Sequence, residues 1–171
     1  MTALALTRTY GQEVPYRQQS VTASRSADTL AVMLAKAAEH ARNNANDWRS
    51  LTKALIEEVA MECRTPNWDG YGAHPISLAA KQYAQQFIDA LPYRFPVPVP
   101  VPEADGDFSL SWDFGTGHIF TISVNSLGML SYAGLLGKGI KRYGVEPFQG
   151  SIPQVILDSI AEVYDRATPA A

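Results

Sequence analysis

Hydrophobic and polar positions divide the chain into a helical first half and a strand-forming second half. Residues 1–26 are rich in Thr, Ser, Gln and Arg without a sustained period, which predicts a flexible arm. From Asp28 to Arg42, Leu30, Leu34, Ala37, Ala38 and Ala41 fall on one stripe. Asp47 then caps a second stripe of Trp48, Leu51, Leu55, Val59, Ala60 and Cys63, so a helical pair is expected over 28–64. A further helix over 77–91 opens on Ser77, turns Ala80, Ala84, Phe87, Ile88 and Leu91 inward, and stops at Pro92. Within 92–104, the run from Pro96 to Pro102 places proline at every second position. Lacking those N–H groups, it is expected to be a stiff extended connector, neither helix nor central strand.

At Asp107 the period changes to two. Phe108, Leu110, Trp112 and Phe114 alternate with polar residues, as do Phe120, Ile122 and Val124, and Leu130 and Tyr132 share a face in a third strand. Gly115-Thr116-Gly117 and Asn125-Ser126-Leu127-Gly128 supply hairpin turns, which predicts a three-stranded antiparallel meander over 107–133. A glycine-rich loop over 134–150 follows. The last helix, 151–167, opens with the capping-box pattern Ser151-Ile152-Pro153-Gln154. The expected fold is a single α+β domain over 27–167, a three-stranded meander covered by helices, with an N-terminal helical pair and a flexible arm.

The motif loop over 65–76 follows neither period. Asn67, Trp68, Asp69, Gly70, Tyr71, Gly72, Ala73 and His74 lie between Pro66 and Pro75. Asn, Asp and Gly suit turns and positive φ, whereas Trp and Tyr seek burial with their polar atoms bonded. Trp68 and Tyr71 are therefore expected to pack at the junction of the third helix and the sheet. Asp69 is expected to accept backbone N–H groups of its own loop.

The chain has 171 residues, 46% apolar and 18% charged, with 14 basic against 17 acidic residues and a net charge of −3. That balance does not indicate a nucleic-acid partner. Cys63 is the only cysteine, which excludes an internal disulfide and a multi-cysteine zinc site. No membrane segment or secretory signal is apparent, so a cytoplasmic protein is expected.

Candidate chemistry is sparse. His40, His74 and His118 are scattered, and neither a metal site nor a cofactor is expected. Asp69 and His74 are the weak catalytic candidates, as a carboxylate–imidazole dyad that still lacks a nucleophile. Asp69, Asp105, Asp107 and Asp113 form at most a loose carboxylate set, read as a solvated charge run. Gly134 to Gly139 departs from the Walker spacing, with two residues between Gly134 and Gly137 and Gly139 after the lysine. Lys138, Lys141 and Arg142 nevertheless gather positive charge. The candidate binding residues are Asn67, Trp68, Asp69, Tyr71, His74, Lys138, Lys141 and Arg142.

The Asn67-Trp68-Asp69-Gly70-Tyr71-Gly72-Ala73 loop resembles that of an uncharacterised family of small bacterial proteins. The resemblance continues through a helix, the Glu103-Ala104-Asp105-Gly106 link, the Leu110-Ser111-Trp112 strand and Tyr132-Ala133-Gly134, and covers residues 66 to about 157. It implies no particular activity.

Three functions are open at this point. One is a non-enzymatic protein-binding factor of a bacterium or mobile element, of the antitoxin, immunity or anti-defence type, acting by partner occlusion. Another is a small hydrolase or nucleotide-processing enzyme using the Asn67–His74 loop. The third is a nucleic-acid-binding accessory protein using Arg8, Arg17, Arg25 and the Lys138–Arg142 segment. Small size, modest acidity and the lack of a complete catalytic set favour the first.

Overall fold

The computed structural model describes residues 48–115 and 117–168. The expected arm over 1–26 and the helix from Asp28 to Arg42 lie outside the described residues. Helix α1 spans Trp48–Glu62 and α2 spans Leu78–Ala90. Strands β1 (Val99–Pro102), β2 (Phe108–Asp113), β3 (His118–Val124), β4 (Met129–Leu136) and β5 (Lys141–Pro147) follow, and α3 (Gln154–Ala167) closes the order. All five strands form one antiparallel sheet in the order β1-β2-β3-β4-β5. The α+β class and the antiparallel meander agree with the hydrophobic periods. The sheet has five strands rather than three.

Both additional strands come from segments expected to lie outside the sheet, one a stiff extended connector and the other a glycine-rich loop. In the proline-rich segment, Val99 pairs with Ser111 and Val101 with Ser109. The Glu103 N–H donates to the Asp107 carbonyl at 3.0 Å, which sets the odd-numbered positions as those whose backbone bonds to β2. Pro100 and Pro102 thus turn their N–H-less nitrogens outward, and only an edge strand tolerates that. Beyond β4, Gly137, Lys138 and Gly139 all adopt positive φ (75°, 49° and 76°), forming a tight turn instead of a long loop. The chain then returns as β5, with Ala133 opposite Tyr143 and Ser131 opposite Val145.

One face of the sheet carries the core. Phe108, Leu110, Trp112, Phe120, Ile122, Val124 and Leu130 are at most 1% exposed, in the register expected from their alternation. Helices α2 and α3 pack on this face. Phe87 lies 6.4 Å from Trp112 between ring centroids and 6.0 Å from Phe148. Ile156, Ile160 and Val163 are fully buried on α3. The indole N–H of Trp112 donates to the Pro96 carbonyl at 2.7 Å, so the largest buried ring leaves no orphan donor and ties the chain leading into β1 to the core. Helix α1 packs on α2, and Lys53–Asp89 and Lys81–Glu57 ion pairs bridge their exposed edges.

Two helix starts differ in how they are capped. Ser77 caps α2, accepting from the Ala80 N–H, as its position suggests. The capping box expected at Ser151 does not form. Pro153 occupies the N-cap of α3 with no side-chain cap, and its carbonyl accepts from Ile156 and Leu157.

Candidate functional site

The Asn67–His74 loop is held by its own polar groups. Asn67 adopts φ 62°, Gly70 φ 80° and Gly72 φ 98°, three left-handed residues within six positions. The Asn67 N–H donates to the Ala73 carbonyl at 2.7 Å and its side-chain Oδ1 accepts from the Gly72 N–H at 2.7 Å. Asp69 Oδ1 accepts from the Tyr71 N–H at 2.8 Å and the Ala73 N–H at 3.1 Å. The Tyr71 N–H, and after it those of Ala73 and Gly72, hold the Asp69 carboxyl below the usual carboxylate range. Trp68 packs half-buried against the core margin, and its indole N–H donates to the His74 carbonyl at 2.8 Å.

Tyr71 departs from expectation. It is 85% exposed, whereas Ala73 is buried. The small Ala73 thus anchors this part of the loop, and the tyrosine between the two left-handed glycines forms its tip.

The loop docks on the turn between β1 and β2. The His74 N–H donates to the Ala104 carbonyl and the Ser77 N–H to the Gly106 carbonyl, each at 2.8 Å. Gly106, at φ 94°, lies so close that a Cβ there would stand 2.8 Å from the Pro75 carbonyl oxygen. Two segments separated by about thirty positions in sequence thus form one unit.

That turn carries a carboxylate cluster, in which ligand atoms of Glu103, Asp105 and Asp107 all lie within 4.8 Å of one another. Asp69 and Asp113 do not belong to it, and Glu103 was not expected in it. Asp113 is at the far end of β2, six residues beyond Asp107. Burial, then repulsion from Asp105 and Glu103, push the Asp107 carboxyl above its ordinary range. Glu103 is anchored across the sheet, accepting from the Ser109 hydroxyl and, at 2.9 Å, from the Ser123 hydroxyl. The Pro102-Glu103-Ala104-Asp105-Gly106-Asp107 string was the available signal for this cluster. Pairing Glu103 with Asp107 depends on the β1–β2 hairpin, which the prolines concealed.

The candidate dyad of Asp69 and His74 does not form. Among the described residues, no hydrogen bond joins the Asp69 carboxylate to the His74 imidazole. Cys63 is buried, and burial followed by the charges of Glu62 and Asp69 raises its thiol to about 11. It is a packing group, not a nucleophile.

The three cationic candidates lie elsewhere. Lys138 is in the turn joining β4 to β5, beside the His118 end of β3, whereas the acidic turn adjoins the opposite end of β2. Lys141 and Arg142 are consecutive in β5 and point to opposite faces. Arg142 pairs with Glu162 of α3 at 3.2 Å. The eight candidate binding residues therefore separate into a loop group and a β5 group, and the cations form no single patch. A shallow polar groove between α1 and α2, lined by Lys53, Glu57, Gln82, Gln85 and Asp89, is separate from both. Among the described residues, no helix is long and apolar enough to cross a membrane.

No family model, curated protein or solved structure matches this chain.

Proposed function

We propose that the chain is a non-enzymatic protein-binding factor of a bacterium or mobile element, of the antitoxin, immunity or anti-defence type, acting by partner occlusion. The observation that carries this reading is Tyr71, 85% exposed at the tip of a loop whose turns are held by Asn67 and Asp69. A tyrosine on a preorganised loop offers a large amphipathic contact with little ordering entropy left to lose. The adjoining Glu103, Asp105 and Asp107 favour a partner with a basic rim around the pocket that receives the ring.

The enzymatic alternative has one observation in its favour, the clustered carboxylates with Asp107 held above its usual range. Against it, Glu103 is engaged by two serines and Asp69 by loop amides. The nucleic-acid reading is weakened by the Arg142–Glu162 pair.

The test begins with a partner captured on the full chain from bacterial lysate, then purified and titrated. Tyr71→Ala should weaken its binding by about thirtyfold or more, as truncating a hot-spot tyrosine does, with an unchanged melting temperature. Equal affinity for wild type and Tyr71→Ala would reject the loop tip as the binding surface.

A further inference from the structure

The two edges of the sheet differ in their capacity to pair. At β1 the outward positions are Pro100 and Pro102, which offer no N–H, so this edge is blocked against strand addition. At the other edge, the Leu136 N–H donates to the Ile140 carbonyl and the Phe148 N–H to the Gly128 carbonyl. Both contacts follow the same register as β4–β5, so Arg142, Gly144 and Glu146 direct their backbone groups toward β4. Lys141, Tyr143 and Val145 direct their N–H and C=O groups outward. Tyr143 is 80% and Val145 58% exposed, and among the described residues no strand pairs with this edge.

We propose that β5 pairs antiparallel with β5 of a second copy about a two-fold axis at Gly144, joining the two sheets into one. The sequence of the strand selects both the occupant and the register. With Gly144 on the axis, Tyr143 faces the second copy's Val145, and their outward N–H and C=O groups bond reciprocally. The two side chains form an aromatic–β-branched pair on the face away from the helices. Arg142, which also pairs with Glu162 of its own α3 at 3.2 Å, faces the second copy's Glu146 across a non-hydrogen-bonded position, where side chains approach most closely. The Lys141 N–H meets the second copy's Pro147 carbonyl, so the missing proline donor falls at the margin.

Moving the axis to Tyr143 places Arg142 opposite Gly144, and moving it to Val145 places Arg142 opposite Phe148. Either shift loses the opposite-charge pair. Because the β1 edge is blocked by proline, association closes at two copies instead of extending into a filament. The Tyr71 loop adjoins the β1–β2 turn, four strand spacings or about 19 Å from β5, so dimerisation leaves it accessible. The inference is independent of the partner-binding reading.

Sedimentation velocity of the full chain between about 1 and 100 μM tests this. The expected result is a reversible monomer–dimer equilibrium. Val145→Pro removes an outward N–H while leaving the N–H groups that serve β4, and should weaken self-association by about tenfold or more. Charge exchange provides a second arm that does not alter the backbone. Arg142→Glu and Glu146→Arg should each weaken the dimer by several-fold, and the double variant should regain most of the loss. A chain that stays monomeric throughout the range overturns the proposal. So does a folded Val145→Pro variant that dimerises as tightly as wild type, or a folded double variant that associates no better than the singles.

Discussion

Gly106 and Gly72 allow the docking of the motif loop on the acidic turn to be measured. Their φ angles nearly match, 94° and 98°, so alanine at either carries a similar backbone penalty of about 1–3 kcal/mol. They differ in what a Cβ meets. At Gly72 there is nothing within 4 Å, whereas at Gly106 the new carbon stands 2.8 Å from the Pro75 carbonyl oxygen. Neither backbone atom group can rotate away as a side chain would. The turn must therefore retreat from the loop, stretching the Ser77-to-Gly106 and His74-to-Ala104 hydrogen bonds. Two such bonds are together worth about 1–3 kcal/mol net. Gly106→Ala should accordingly destabilise the domain by about 2 kcal/mol more than Gly72→Ala. With a urea m-value of about 2 kcal/mol/M, that separates the two unfolding midpoints by about 1 M. Indole fluorescence should report the change as well, because Trp68 is fixed by the His74 carbonyl on the same loop. Coincident midpoints for the two variants would refute the claim that loop and turn act as one unit.

Two further outcomes follow from shifted ionisations. Cys63, its thiol raised to about 11, should react with a thiol-specific disulfide reagent at pH 8 about two orders of magnitude more slowly in the native chain than in the unfolded one. Comparable rates would place it at the surface. At Asp107 the folded carboxyl titrates above its ordinary value, so the penalty for ionising it is fully present at neutral pH and disappears below the unfolded value. Asp107→Asn should therefore raise the urea midpoint at pH 7, with the gain vanishing as pH falls below about 4. A lower midpoint at pH 7 would mean that the carboxylate is favoured where it stands.

Strands β2, β3 and the first part of β4 were legible because one face of each is apolar and the other polar, and their register follows from that alternation. The remaining two strands were hidden for different reasons. In β1 the prolines exclude a central strand, but their two-residue spacing leaves the valine N–H groups all on one side, which an edge strand can use. In β5 the residues facing the helices are Arg142, Gly144 and Glu146, so the apolar alternation that marks a half-buried strand is absent. Gly144 has a packing cause, since a Cβ there would collide with the Tyr132 ring. That requirement weakened the strand signal further.

At the candidate site the sequence disclosed which residues turn the chain, but not which of its rings would point outward. Asp69 and Asn67 accept loop N–H groups because short polar side chains stabilise left-handed turns locally, a relation confined to a few residues. The orientation of Tyr71 depends instead on the relation of two glycine turns to a core about which local sequence says nothing. Gly70 and Gly72 permit either direction. The docked turn decides between them, because the bonds from His74 and Ser77 to Ala104 and Gly106 fix the end of the loop. With Ala73 drawn inward, the ring two positions earlier is left outside. The position of Tyr71 thus rests on the Gly106 contact together with the loop's own Asn67 and Asp69 bonds. Loosening that contact should impair recognition through the loop even in a chain that keeps its fold.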